Sequence, residues 1–327
     1  MKERLDYLDS LKGFGILLMI VGHIGAGDMI GKWISSFHMP LFYFVSGYLF
    51  TAHKYNFKGY FLRKIKTLIV PYIIFMAFHF IGYFVLLDYN KDDFVKRVFN
   101  TVFFQNSNSN RIPLCGAAWF LISLFFVSIF MHIIINRLDK KVANVVIAIV
   151  ALFGTVSTRI IPFNLPFTLN SVFVGMGIFY IGYLMKNKLL IITDFLSKHN
   201  TILMILGIIS VVFSLFSETI NMRQGWYGVV PLTWWFIALS SIVFWFSIFK
   251  IQNNKNIFNL PNMVLQELGK NSIMYICLNE LIIYIFRNYL SLENVIEKVI
   301  CFVVIILICY LLNRSILNTK FSFVIGK

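Results

Sequence analysis

Ten mostly apolar stretches follow one another along this chain, at roughly 11–27, 34–52, 67–88, 117–136, 142–161, 168–185, 201–217, 228–249, 272–290 and 295–313. A helix that crosses a bilayer needs about 20 such residues. In hydrocarbon every backbone N–H and C=O must find its partner inside the segment, so repeated runs of this length fold as helices. The expected fold is all-α: a polytopic membrane bundle of about ten transmembrane helices, forming one domain over 1–327. Composition agrees. The chain is 59% hydrophobic and 13% charged, whereas a soluble domain carries about 25% charged residues.

The net charge is +15. In a soluble protein that balance would point to nucleic acid. Here the basic residues cluster between apolar segments, where topology and lipid headgroups account for them, and no nucleic-acid partner is expected. With the N-terminus placed in the cytoplasm, 20 of the 29 Lys and Arg residues fall on the cytoplasmic side. That asymmetry supports a multi-pass protein with both termini cytoplasmic. The external segment 89–116 is the exception, with Lys91, Lys96, Arg97 and Arg111. Its run Gln105-Asn106-Ser107-Asn108-Ser109-Asn110 is polar and turn-rich, which fits a cap over an external entrance and fits a plain flexible loop equally well.

Several chemistries have no support. Gly25-Ala26-Gly27 resembles a signal-peptidase site, but Gly22 and His23 interrupt the apolar run before it, and the segment reads as an uncleaved first span. The four cysteines form no C-x-x-C pair and the six histidines show no i, i+4 pairing, so no metal site is expected. There is no Gly-x-Ser-x-Gly elbow for a serine hydrolase.

Ionisable groups at membrane depth are costly and persist mainly where they face a cavity, a partner or a substrate. Lys12 and His23 lie on the first span, a helical rise of ~16 Å apart. A buried neutral imidazole keeps a lone pair for use as a base; a packing histidine is the plainer alternative. His38 follows at the start of the second span, beside Pro40, which bends the helix and frees a carbonyl. The two imidazoles are placed to share one cavity. Arg63 and Lys66, at i and i+3 around Lys64, open the third span on one helix face. They suit phosphate groups, or simply mark the cytoplasmic end. Trp119 begins the fourth span, and Asn221 and Arg223 with Trp226 and Tyr227 precede the eighth. Such residues suit sugar hydroxyls and ring faces and are also ordinary at a membrane interface.

Taken in order, these pieces resemble the acyltransferase type 3 family of integral membrane proteins. The matching elements are Leu5-Asp6-Tyr7-Leu8-Asp9-Ser10-Leu11-Lys12-Gly13 ending in Gly22-His23; Phe37-His38-Met39-Pro40 through Ser46-Gly47-Tyr48; Arg63-Lys64-Ile65-Lys66 with Pro71-Tyr72; Trp119-Phe120-Leu121; Phe179-Tyr180-Ile181-Gly182-Tyr183; Asn221-Met222-Arg223 with Tyr227-Gly228; and Leu268-Gly269-Lys270-Asn271-Ser272. The family pattern in the first span is a basic residue, ten others and an essential histidine. Lys12 stands where many members have arginine, and Lys66 takes the second place of the basic pair. Asn279-Glu280 stands where many relatives carry a histidine.

The resemblance implies an enzyme of the bacterial cytoplasmic (inner) membrane that moves an acyl group, most often acetyl, from acetyl-CoA to a hydroxyl of a cell-surface or lipid-linked saccharide. Lys12, Arg63, Lys64 and Lys66 would then meet the donor's phosphates. His23 would act as general base with His38 beside it, and Trp119, Asn221, Arg223 and Tyr227 would line the acceptor site. Ten spans with intramembrane histidines also suit a transporter or flippase, which is the alternative reading of the residues alone.

Overall fold

A computed structural model describes residues 5–86, 91–105, 112–254 and 259–327. The described residues form helices and no strands. In order these are α1 (Asp6–Ile24), α2 (Asp28–Leu49), α3 (Phe57–Lys64), α4 (Val70–Leu86), α5 (Lys91–Phe103), α6 (Trp119–Arg137), α7 (Lys140–Ile160), α8 (Leu169–Leu184), α9 (Lys188–Lys198), α10 (Asn200–Phe216), α11 (Pro231–Asn254), α12 (Asn259–Lys270), α13 (Ser272–Tyr289) and α14 (Val295–Leu317).

Seven of the described helices are long and apolar enough to cross a membrane, or eight if the bent pair α9–α10 is one span. The expectation of about ten also included α2 and α13. Both are helices, of 22 and 18 residues, but each carries too many polar residues for that test. α2 holds Asp28, Lys32, Ser35, Ser36 and His38, and α13 holds Asn279, Glu280 and Arg287. Their central residues are buried in the protein, so protein rather than lipid surrounds them and polarity there is tolerated. The expected seventh span is α10, which meets α9 at a 110° bend. The segment 89–116 is not a simple loop: it contains α5 and a 3-10 turn at Pro113–Ala118. Asn106 to Asn110 of its polar run lie outside the described residues, and Gln105 is buried.

The surface chemistry is that of a protein in lipid. On α7 the buried positions include Ala143, Ala151, Gly154, Thr155 and Ser157, while Val142, Val145, Ile149 and Leu152 face outward. On α10, Gly207, Ser210 and Ser214 are inside and Met204, Ile205, Ile208 and Phe216 outside. Large apolar side chains facing out and small or weakly polar ones facing in reverse the order of a water-soluble core.

The chain divides into two compact units, each discontinuous in sequence. The first comprises Met1–Phe50, Ile178–Asn221 and Tyr227–Ser272, and the second Thr51–Gly177, Met222–Trp226 and Ile273–Lys327.

In the first unit, two helix crossings bring backbone against backbone. α1 meets α12 where Gly13 abuts the Leu265 carbonyl and Gly269 abuts the Asp9 carbonyl; a methyl group at either glycine would collide. α2 meets the end of α8 in the same way, with Gly47 against the Phe179 carbonyl and Gly182 against the Phe44 carbonyl. α1 and α2 themselves form a hairpin closed by Gly25 and Gly27, both at positive φ, a conformation that favours glycine. The apparent cleavage site is this turn.

In the second unit, α3 begins at Asn56, whose Oδ1 accepts the Gly59 N–H at 2.8 Å. It runs without a break through a π-helical turn, Ile65–Ile69, into α4. Pro71 has no N–H to give the Thr67 carbonyl four residues back. The helix widens just before it, so that the Val70 N–H reaches Ile65 O. The C-terminal 3-10 segment Lys320–Ile325 packs here, and Gly326, at φ +74°, lies against the Thr67 carbonyl.

The crossings give a first prediction. Gly13→Ala or Gly47→Ala should lower stability in detergent by about 1–3 kcal/mol, as overpacking does. Gly31→Ala on α2, with nothing within 4 Å of the added methyl, should leave the thermal midpoint unchanged. Equal midpoints for all three variants would refute the account of the crossings.

Candidate active site

The first unit holds the two histidines. In the α1–α2 hairpin, Gly22 faces Ile34, and Gly15 faces Leu41 and Phe42. This antiparallel register sets His23 opposite about Trp33, roughly one and a half helical turns along the hairpin from His38. His38 Nδ1 lies 2.7 Å from the Ile34 carbonyl. A carbonyl only accepts, so the ring hydrogen sits on Nδ1 and the neutral ring presents a bare Nε2. The hairpin carries both rings in the first unit.

The bend at Pro40 is held from outside its helix. Pro40 lacks the N–H that would bond the Ser36 carbonyl, and the Trp234 indole of α11 donates to that carbonyl at 2.9 Å instead. Trp234 is fully buried, and Tyr227 packs on it with ring centroids 4.5 Å apart. Tyr227, expected to meet a sugar from an open loop, is 2% exposed. In this structure it supports the tryptophan that holds the His38 helix. Nearby, Trp33 and Trp245 have ring centroids 6.3 Å apart, with Phe14 4.3 Å from Trp245. Their buried indole nitrogens meet no acceptor among the described residues.

At the other end of α1, Lys12 Nζ is 2.7 Å from Asp9 Oδ1, and Lys270 Nζ is 4.0 Å from Asp6 Oδ1. The Gly13 and Gly269 contacts are what bring α12, and with it Lys270, to this end of α1. Lys250 sits 4.9 Å over the Tyr7 ring, and the Tyr7 and Tyr48 hydroxyls are 3.3 Å apart.

The second unit holds the remaining basic residues. Arg63 donates to the Tyr55 hydroxyl and is exposed, Lys64 is half-buried with its ammonium 5.4 Å over the Tyr60 ring, and Lys66 is exposed. The expected shared face of Arg63 and Lys66 is altered. The α-helix ends at Lys64, and Lys66 belongs to the π turn, so the i, i+3 spacing no longer follows α-helical geometry. π turns of this kind are frequent at functional sites. Tyr60 stacks on His132 at 4.4 Å and 10°. Asn136 donates to the His132 carbonyl at 2.8 Å and accepts the His53 N–H at 3.0 Å. The sequence showed no reason to join His53, Tyr60 and His132 to the basic residues.

Of the remaining expected acceptor residues, Trp119 is buried rather than set in an interfacial belt. Arg223 donates to the Gln105 carbonyl at 2.6 Å, and Gln105 Nε2 donates to the Tyr72 hydroxyl at 2.9 Å. Ser171 Oγ donates to the Met222 carbonyl at 2.5 Å, and Thr158 to the Gly225 carbonyl at 2.9 Å. The segment around Arg223 is thus tied to α7 and α8. Arg159 lies 5.4 Å over the Trp226 ring. Asn221, in the first unit, is half-buried. No group of three or more His, Cys, Asp or Glu residues able to hold a metal ion occurs among the described residues.

The family model described as an acyltransferase domain, acyltransferase type 3, matches residues 5–314. The chain belongs to this family. No curated protein matches it. With seven or eight long apolar helices among the described residues, it is a multi-pass membrane acyltransferase.

The Pro40 arrangement gives a second prediction. Trp234→Phe leaves the Ser36 carbonyl without a donor and should cost about 1–3 kcal/mol of stability. In a Pro40→Ala background the restored helix N–H meets that carbonyl, so the same substitution should cost less. Thermal denaturation of the four proteins measures the coupling, and strictly additive losses would contradict it.

Proposed function

We propose that this acyltransferase transfers acetyl from acetyl-CoA to a hydroxyl of a cell-surface or lipid-linked saccharide in the bacterial cytoplasmic membrane. The reading is supported by the family and by one structural observation: two histidines carried on one helix hairpin in a membrane acyltransferase. Both termini are taken as cytoplasmic, which puts Lys12 and the Arg63–Lys66 segment on the side where the donor occurs.

The chemistry assigned to these residues is acyl transfer. His23 takes the proton of the acceptor hydroxyl as its oxygen attacks the thioester carbonyl. The C–S bond of the tetrahedral intermediate then breaks, and the thiolate leaves with the proton that His23 took up. Neutral His38, with Nδ1–H engaged by Ile34, accepts at Nε2. It can orient His23 or the acceptor hydroxyl, and it donates to an oxyanion only when its ring is charged. Lys12, in the first unit, and Arg63, Lys64 and Lys66, in the second, each suit the donor's phosphates. Asn221 with the buried Tyr227, in the first unit, and Arg223 with the buried Trp119, in the second, each suit the hydroxyls and ring faces of an acceptor.

Base-labile acyl ester on surface glycans and lipid-linked sugars tests the reading in cells. Wild type should produce it, and His23→Ala should lower it by ~10²-fold or more, the usual worth of a general base. His199→Ala, on the exposed histidine between α9 and α10, should be silent. Equal ester with wild type and with no copy of the gene would refute the function for those acceptors.

A further inference from the structure

Three buried oxygen atoms of the second unit meet no hydrogen-bond partner among the described residues. They are Gln105 Oε1 just after α5, Thr168 Oγ1 just before α8 and Asn170 Oδ1 in the first turn of α8. All three residues are buried. An unpaired oxygen inside a protein costs free energy, and native structures hold few of them. Neither the proton transfer nor the donor's phosphates account for these three.

One short segment, Met222–Trp226, joins the residues that carry them. Arg223 donates to the Gln105 carbonyl at 2.6 Å. Ser171, next to Asn170, donates to the Met222 carbonyl. Gly225, at φ +74°, lies so close to α8 that an added methyl would come 3.2 Å from Asn170 Cβ. Phe167, next to Thr168, has its ring centroid 5.3 Å from that of Phe103 on α5 and 5.5 Å from that of Phe126 on α6. The backbone here is strained. Phe167 and Thr168 both take positive φ, +52° and +55°, which bulky and β-branched residues rarely do. Strain of this kind clusters at ligand sites.

The chemistry of the oxygens names the ligand. Amide oxygens only accept, and the Gln105 amide already donates through Nε2 to the Tyr72 hydroxyl at 2.9 Å. The Thr168 hydroxyl both donates and accepts. A ligand that satisfies all three brings O–H groups, whereas a carboxylate or phosphate only accepts and would face two amide oxygens. Trp226, the residue after Gly225, is 38% exposed and offers a sugar ring an apolar face. We propose that Gln105, Thr168 and Asn170 bind hydroxyl groups of a saccharide, with Trp226 against its ring. The oxygens are shielded from solvent, so the saccharide reaches them as the joined segments part, which releases the strain at Phe167 and Thr168. With both termini cytoplasmic, α5, the start of α8 and Met222–Trp226 lie on the external side, where a glycan approaches. That the bound saccharide is the acceptor rests on the acyl-transfer reading; that it binds here does not.

The test compares full-length wild type, Thr168→Val, Asn170→Leu and Thr168→Ser in lipid vesicles. The probe is a lipid-linked glycan extract, set against the same extract stripped of its sugars by mild acid. Without glycan, Thr168→Val and Asn170→Leu should unfold at or above the wild-type temperature, because each loses a buried oxygen that has no partner. Intact extract should raise the wild-type midpoint and stripped extract should not. Thr168→Val and Asn170→Leu should respond less, and Thr168→Ser, which keeps the hydroxyl, should respond as wild type does. In label transfer from acetyl-CoA, the half-saturating glycan concentration should rise ~10-fold for each lost hydrogen bond, with the half-saturating acetyl-CoA concentration unchanged. A full glycan response from folded Thr168→Val and Asn170→Leu overturns the site. So does a lower midpoint of both without glycan, which would mean that the oxygens already have partners. Equal shifts from intact and stripped extract, or none from either, also overturn it. A glycan shift in wild type without label transfer counts against the acyl-transfer reading alone.

Discussion

The first unit depends on glycines that let helices touch backbone to backbone. Between helices in lipid the hydrophobic effect supplies no drive, so association comes from close packing and from hydrogen bonds. α1 and α12 meet at Gly13 and Gly269, and α2 and α8 at Gly47 and Gly182, each helix contributing one glycine to its crossing. The first crossing brings Lys270 to Asp6 at the end of α1 where Lys12 pairs with Asp9. The second fixes α2, the helix that carries His38. The placement of the charged groups and of the histidine-bearing helix of this unit follows from these contacts.

Each unit also has a proline inside a long helix, and the two are accommodated differently. Pro40 frees the Ser36 carbonyl, and a tryptophan from another helix takes it up. Pro71 is accommodated by a widened turn in its own helix, with the C-terminal Gly326 against the Thr67 carbonyl. In lipid neither carbonyl has water to turn to, so each proline calls for a local answer. In both cases that answer adjoins a group assigned to chemistry: His38 in one, the Arg63–Lys66 segment in the other.

Much of this was legible in the sequence and the rest had physical reasons to be hidden. Hydropathy reports what a helix shows to lipid. It found α7 and α14, whose large apolar residues face outward, and it also picked out α2 and α13, whose central residues are buried in the protein. His23 and His38 stood out because an imidazole in an apolar run is unusual, and the hairpin between them follows from Gly25 and Gly27. His79 is just as unusual, and its Nε2 lies 2.7 Å from the Cys277 carbonyl, 198 residues away, a partner that no local pattern announces. The π turn was missed because Pro71 predicts a break without saying which way the helix gives. Trp119 and Tyr227 were placed at an interface because aromatic residues near span ends usually sit there, whereas both are buried in the protein.

The most direct test of the account is acyl transfer by the purified chain in lipid vesicles supplied with acetyl-labelled acetyl-CoA and a lipid-linked glycan extract. Base-labile label should pass to the glycan with an equal release of free CoA thiol, and the His23→Ala protein should give neither. Glycan accumulation across the vesicle without any ester, or the same label transfer from the His23→Ala protein, would contradict an acyltransferase that works through this hairpin.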